Sequence, residues 1–118
     1  MDDTYISFYL KANRIHVFIN ALRGIGSPKR ICFMMDDGGN TLILSPYEKR
    51  DFKSHRVPEK VYSGSESLEI SSYKLCRLLA SSHDWDLSRS YRIPGKTVPS
   101  LNVVMFQLDK AETINTEK

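Results

Sequence analysis

One arrangement of apolar residues occurs twice in this chain. In residues 14–47, Ile15 and Val17 alternate with other types, and Leu22 and Ile25 follow in a short helical stretch. Two apolar runs, at 31–35 and 42–44, then flank Asp36, Asp37, Gly38, Gly39 and Asn40. In residues 67–109, Leu68 and Ile70 alternate, and Tyr73, Leu75, Leu78 and Leu79 keep a helical spacing. Runs around 91–93 and 103–108 close the segment. Without gaps, Ile15, Val17 and Leu22 fall on Leu68, Ile70 and Leu75; the hairpins align after an insertion that includes Trp85. Each copy predicts strand, short helix, strand, turn, strand. A unit this short buries too little apolar surface to stand alone. The two are therefore expected to pack as a pseudo-dimer in a single α+β, mostly β domain over residues 1–118. Its parts are a first half (4–47), a basic connector (48–66), a second half (67–109) and a polar tail (110–118).

Local signals refine this outline. Asn13 marks a turn within 4–18. Asn20 is expected to cap the short helix, with Gly24 or Gly26 ending it. Pro28 cannot continue that helix and pushes Ser27 toward extended geometry. The Asp-Asp-Gly-Gly-Asn stretch supplies the positive φ of a hairpin turn. The connector predicts a short strand around 56–62. Ser71 or Ser72 caps the second helix. Pro94, Gly95 and Lys96 predict a tight turn between two strands, with Arg92 and Lys96 on either side as an anion-binding lip.

Several function classes find no support. No apolar run approaches the ~20 residues of a transmembrane helix. The acidic, alternating start lacks the pattern of a signal peptide. The expectation is a cytoplasmic protein with no membrane partner. Cys32 and Cys76 each sit among apolar residues and read as buried thiols. The two cysteines and three histidines of the chain show no ligand spacing, so no metal and no cofactor is expected. Asp36 and Asp37 read as turn formers. His83, Asp84, Trp85 and Asp86 form the most enzyme-like patch, yet Trp85 reads as a loop anchor with solvated acids beside it. No serine has a paired His-Asp context, and the chain is not read as an enzyme.

Charge distribution carries the functional expectation. The net charge is only +3, but residues 4–35 hold Lys11, Arg14, Arg23, Lys29 and Arg30 and no acid. A second basic stretch, Lys49, Arg50, Lys53, Arg56 and Lys60, is diluted by Asp51 and Glu59, and residues 61–118 balance seven basic against seven acidic residues. This asymmetry predicts an anionic partner for the first half. Tyr5, Phe8, Tyr9 and Phe18 alternate along strands; that pattern fits half-buried core, and also stacking on single-stranded nucleic acid.

The run NRIHVFINALRGIGSPKRICFMMDDGGNTLILSP resembles the AbrB/MazE-type swapped-hairpin family. Arg14 stands where that family has its strand-opening arginine. Arg23, Ile25 and Gly26 match the helix arginine and its Leu-Gly, and Ile31, Phe33, the DDGG turn and residues 42–44 match the hairpin. Phe18 replaces the family's proline, and Leu22 replaces a polar or basic residue. The second half has Ser67 and Cys76 at the two arginine positions, with Lys74 and Arg77 nearby. The resemblance implies a β-fold that binds duplex DNA as a transcriptional regulator or antitoxin. Arg14 and Arg23 would be the chief contacts, followed by Lys11, Lys29 and Arg30. Arginine suits this task because its planar fork matches phosphates and guanine edges. With one good set of contacts per chain, a homodimer would supply the second. The alternative is a non-catalytic module that binds a protein partner, a scaffold resembling half of a sliding-clamp subunit.

Overall fold

The computed structural model describes residues 4–49, 51 and 54–114. Its elements run β1 (Tyr5–Tyr9), β2 (Arg14–Phe18), α1 (Ile19–Gly24), β3 (Arg30–Met35), β4 (Thr41–Pro46), β5 (His55–Arg56), α2 (Glu59–Gly64), β6 (Ser67–Ser71), α3 (Tyr73–His83), β7 (Ser90–Val98), β8 (Val103–Gln107), a 3-10 turn (Leu108–Lys110) and β9 (Glu112–Ile114). The mostly β, α+β expectation holds. The strands follow one path, β5-β3-β4-β8-β7-β1-β2-β6, with β9 lying against β7. Every pairing is antiparallel. The path curls into a nearly closed sheet whose free edges are the two-residue β5 and the serine-rich β6.

Alternation sorts each strand into an inner and an outer face. Ile6 and Phe8 of β1, Ile15 and Val17 of β2, Leu42 and Leu44 of β4, Ile93 of β7 and Val104 and Phe106 of β8 all point inward and are buried. Leu22 of α1 and Cys76 and Leu79 of α3 complete this core. Each large apolar side chain so placed contributes about 1.5–3 kcal/mol. Both cysteines are buried, as read from their neighbours, and burial pushes the Cys76 thiol up to about 11.

The turns show which local signals held. Asn13 takes a left-handed φ of 54° in the β1–β2 turn. In the β3–β4 turn, Asp36 Oδ1 accepts from the N–H groups of Asn40 and Thr41, both at 2.9 Å. Ser72 caps α3, its Oγ accepting from Leu75 N–H at 3.2 Å. The helix ends on Asp84, which is left-handed at φ 57°.

Five expectations are corrected. Ser27 is not extended before Pro28; its φ of 51° is left-handed. Asn20 does not cap α1; it lies within the helix, and the cap position is Phe18, which makes no side-chain cap bond. Among the described residues the connector holds two residues of strand before α2, because Pro58, at φ −59°, is set for a helix start. Pro94, Gly95 and Lys96 do not turn: β7 runs through them, and the chain reverses at residues 99–102. Gly95 N–H donates to Thr4 O at 2.8 Å on the β1 side. Alternation therefore turns the Pro94 nitrogen the other way, to where β8 gives way to the 3-10 turn and the ladder needs no donor. The polar tail also contributes to the sheet, since β9 pairs with β7 at Ser90, Tyr91 and Arg92.

Candidate nucleic-acid interface

The five predicted contact residues fall into two groups at opposite ends of β2. Arg14 opens that strand, and Lys11 lies in the turn just before it. Arg23 lies in α1, beyond the other end, with Lys29 and Arg30 following it into β3. Strand length alone puts about 13 Å between the Arg14 and Phe18 positions. Arg14 and Arg23 therefore stand at opposite ends of β2.

Arg14 is also not free of acid. Glu69, far off in sequence, is on the neighbouring β6, and its carboxylate forms an ion pair with the Arg14 guanidinium. The same carboxylate lies 3.8 Å from His16 Nε2. Burial, then the charge of Arg14, holds the His16 pKa below the usual 6.5; Glu69, engaged by Arg14, does not reverse this. Burial lowers His55 likewise. The sign follows directly: the unfolded chain takes up protons that the folded protein resists, so stability is full above pH 6.5 and falls as pH drops through it. Urea midpoints at about pH 5.5 are expected below those at about pH 7.5, and His16→Asn should shrink the difference. Equal midpoints would contradict the burial of these rings.

The second group gathers parts of two basic stretches that are separate in sequence. Val57 N–H donates to Lys29 O at 2.8 Å. Tyr62 Oη donates to Pro28 O at 2.6 Å, and burial raises its pKa to about 12, which keeps it a donor. Arg23 Nη2 donates to Tyr62 O at 3.2 Å. These bonds stitch the loop after α1 to β5 and α2. Arg30 then stands directly opposite Arg56 in the β3–β5 register. Ser54 Oγ accepts from Arg30 Nε and Nη2 at 3.1 and 3.0 Å, fixing the guanidinium. Neither arginine has an ion-pair partner among the described residues. Lys29 and Lys60 are exposed beside them, and Glu59 at the start of α2 is the nearest acid in sequence to Arg56. Like charges placed opposite each other in a sheet are destabilising unless an anion answers them.

Arg56 and Lys60 were visible as part of a basic stretch, but nothing local says that a two-residue strand places Arg56 against Arg30. Arg50 and Lys53 lie outside the described residues. Arg92 is not on a turn lip: its guanidinium lies over the Tyr5 and Phe18 rings, 5.2 and 5.4 Å from their centroids.

The His83–Asp86 patch is a lock on the fold. The His83 ring is 3.0 Å from Gly39 O. Trp85 stacks on Tyr91 at 4.7 Å and leans on Phe8 at 5.7 Å. Asp86 accepts from Ser88 N–H and Oγ at 2.9 and 2.7 Å, and these bonds hold its carboxyl below the usual range. No group of three metal-ligating side chains occurs among the described residues, and no described helix is long and apolar enough to cross a membrane.

Comparison with family models, curated proteins and solved structures finds no match.

Proposed function

We propose that this protein binds duplex DNA through the basic face formed by Arg23, Lys29, Arg30, Arg56 and Lys60. The observation that carries the proposal is the Arg30–Arg56 register, two arginines paired directly across the β3–β5 ladder with no ion-pair partner among the described residues. A phosphate between them would relieve the repulsion, and the exposed lysines would extend the interaction along a backbone. The resemblance of residues 13–46 to swapped-hairpin DNA-binding proteins supports the same partner and suggests a regulator or antitoxin role.

The proposal includes the two-half architecture. Superposed without gaps, His16 matches Glu69, and these residues pair directly, with Ile15 opposite Ile70 and Val17 opposite Leu68. The β4–β8 pairing likewise joins corresponding strands of the two hairpins. Such self-matched pairing is what a local two-fold axis between related units would produce.

The test is anisotropy of a labelled blunt duplex across a salt series, wild type against Arg30→Gln/Arg56→Gln. The expected result is weaker binding, with a salt slope smaller by about 0.9 for each phosphate that is no longer neutralised. Arg89→Gln, on the Asp86 loop, should bind as wild type. A folded wild type that binds no duplex at low salt, or a double variant with an unchanged slope, would overturn the proposal.

A further inference from the structure

A second surface lies on the outer side of β7, β1 and β2. The registers place its side chains in rows across the strands. Pro94, Tyr5 and Phe18 form one row, Arg92, Ser7 and His16 the next, and Ser90, Tyr9 and Arg14 the third. Tyr5 meets Phe18 edge-on at 5.7 Å, and Tyr9 meets His16 edge-on at 4.7 Å. All of these rings remain partly exposed, whereas Phe8, on the other face of β1, is fully buried. The acids of this face, Glu69 and Glu112, stand on the flanking strands β6 and β9, and Glu69 is engaged by Arg14.

The centre of the face is unfinished. Ser7 is fully buried, and its Oγ has no hydrogen-bond partner. Directly opposite it on β7, Arg92 has a buried Nε that is also unpartnered. Buried polar groups without partners are costly and rare in folded proteins. The Arg92 guanidinium rests on ring faces alone, so it can swing outward without breaking a hydrogen bond.

We propose that this face binds single-stranded nucleic acid, with unpaired bases stacked on Tyr5, Phe18 and Tyr9 and a backbone phosphate taken by Arg92 and Ser7. In the free protein Arg92 occupies the faces of Tyr5 and Phe18. An arriving base replaces it there, and the released guanidinium meets the phosphate that follows. Tyr5 and Tyr9 are about 13 Å apart along β1 with Ser7 midway, a spacing that leaves room for a phosphate between two stacking positions. Only unpaired bases can offer their faces to such rings, which excludes an intact duplex here. Phe18 also lines a groove of about 470 Å³ that contains Arg23, so a strand leaving the rings would run toward the basic face.

The experiment is anisotropy of a labelled oligothymidylate of about 12 nucleotides, with the blunt duplex titrated in parallel. Wild type should bind the oligonucleotide. Tyr5→Leu/Tyr9→Leu should lose about tenfold or more in affinity, and Arg92→Gln should lose affinity together with salt dependence, while both keep duplex binding. If the tyrosine pair fails to fold, judged by circular dichroism, Phe18→Leu carries the same expectation. A folded wild type that ignores the oligonucleotide at low salt would overturn the inference, as would stacking variants that bind it like wild type. A wild type that binds oligothymidylate but no duplex would support the inference while removing the duplex proposal.

Discussion

Gly95→Val is expected to prevent cooperative folding, and Gly95→Ala to cost about 1–3 kcal/mol. Gly95 lies where β7 passes from β1 to β8, directly opposite Phe106. A Cβ there would lie 2.5 and 2.7 Å from two atoms of the Phe106 ring and 3.1 Å from Val104 Cγ1. Phe106 and Val104 are both fully buried, so neither can yield into solvent. The backbone itself does not demand glycine, because its φ is outside the left-handed region. The entropic gain that alanine brings through the unfolded chain, about 0.4–1 kcal/mol, is then outweighed by the clash. Urea unfolding would read the loss. Gly95→Ala/Phe106→Leu should lose less than the sum of its single changes, since the shortened side chain makes room. An additive pair, or an alanine variant as stable as wild type, would contradict this packing.

The same residue marks the limit of what the sequence disclosed. Pro94-Gly95 has the composition of a turn, and local chemistry favours that reading. Only tertiary pairing distinguishes a turn from a strand that changes partners, because the missing proline N–H and the missing glycine Cβ each answer a distant element. Strands with clean alternation, such as Arg14–Phe18, and a helix with a serine cap, Tyr73–His83, were legible because period and cap are local. The helix Glu59–Gly64 was not, since one buried residue, Val61, leaves no periodic stripe to detect.

The candidate site divides the same way. Charge along the chain revealed two basic stretches, and the fold brings Lys29 and Arg30 of one beside Arg56 of the other. Sequence could not reveal that Arg14 would meet Glu69, or that Arg30 would face Arg56, since each pair depends on β-register between remote segments. Aromatic alternation in β1 was ambiguous for a physical reason. β1 is a central strand with both faces covered in part, so Phe8 serves the core while Tyr5 and Tyr9 stand on the outer face.

Phe8→Ala should remove about 3–5 kcal/mol, a large share of the 5–15 kcal/mol that holds a small domain. Phe8 has no exposed surface and is on a strand hydrogen-bonded on both sides, so the hole cannot be closed by a shift of one edge. Its ring supports Trp85, which stacks in turn on Tyr91. The loss should therefore reach the loop after α3, where Asp86 N–H donates to Tyr91 Oη at 2.8 Å. Trp85 is the only tryptophan of the chain, so its emission reports this cluster alone. In Phe8→Ala, the Trp85 emission should shift red before urea is added, and the midpoint should fall sharply. Phe8→Leu, which keeps most of the volume, should cost less than about 1.5 kcal/mol and leave the emission nearly in place. A Phe8→Ala protein with wild-type emission would mean that Trp85 does not rest on this ring, and the assignment of the His83–Asp86 patch as a lock on the fold would fail with it.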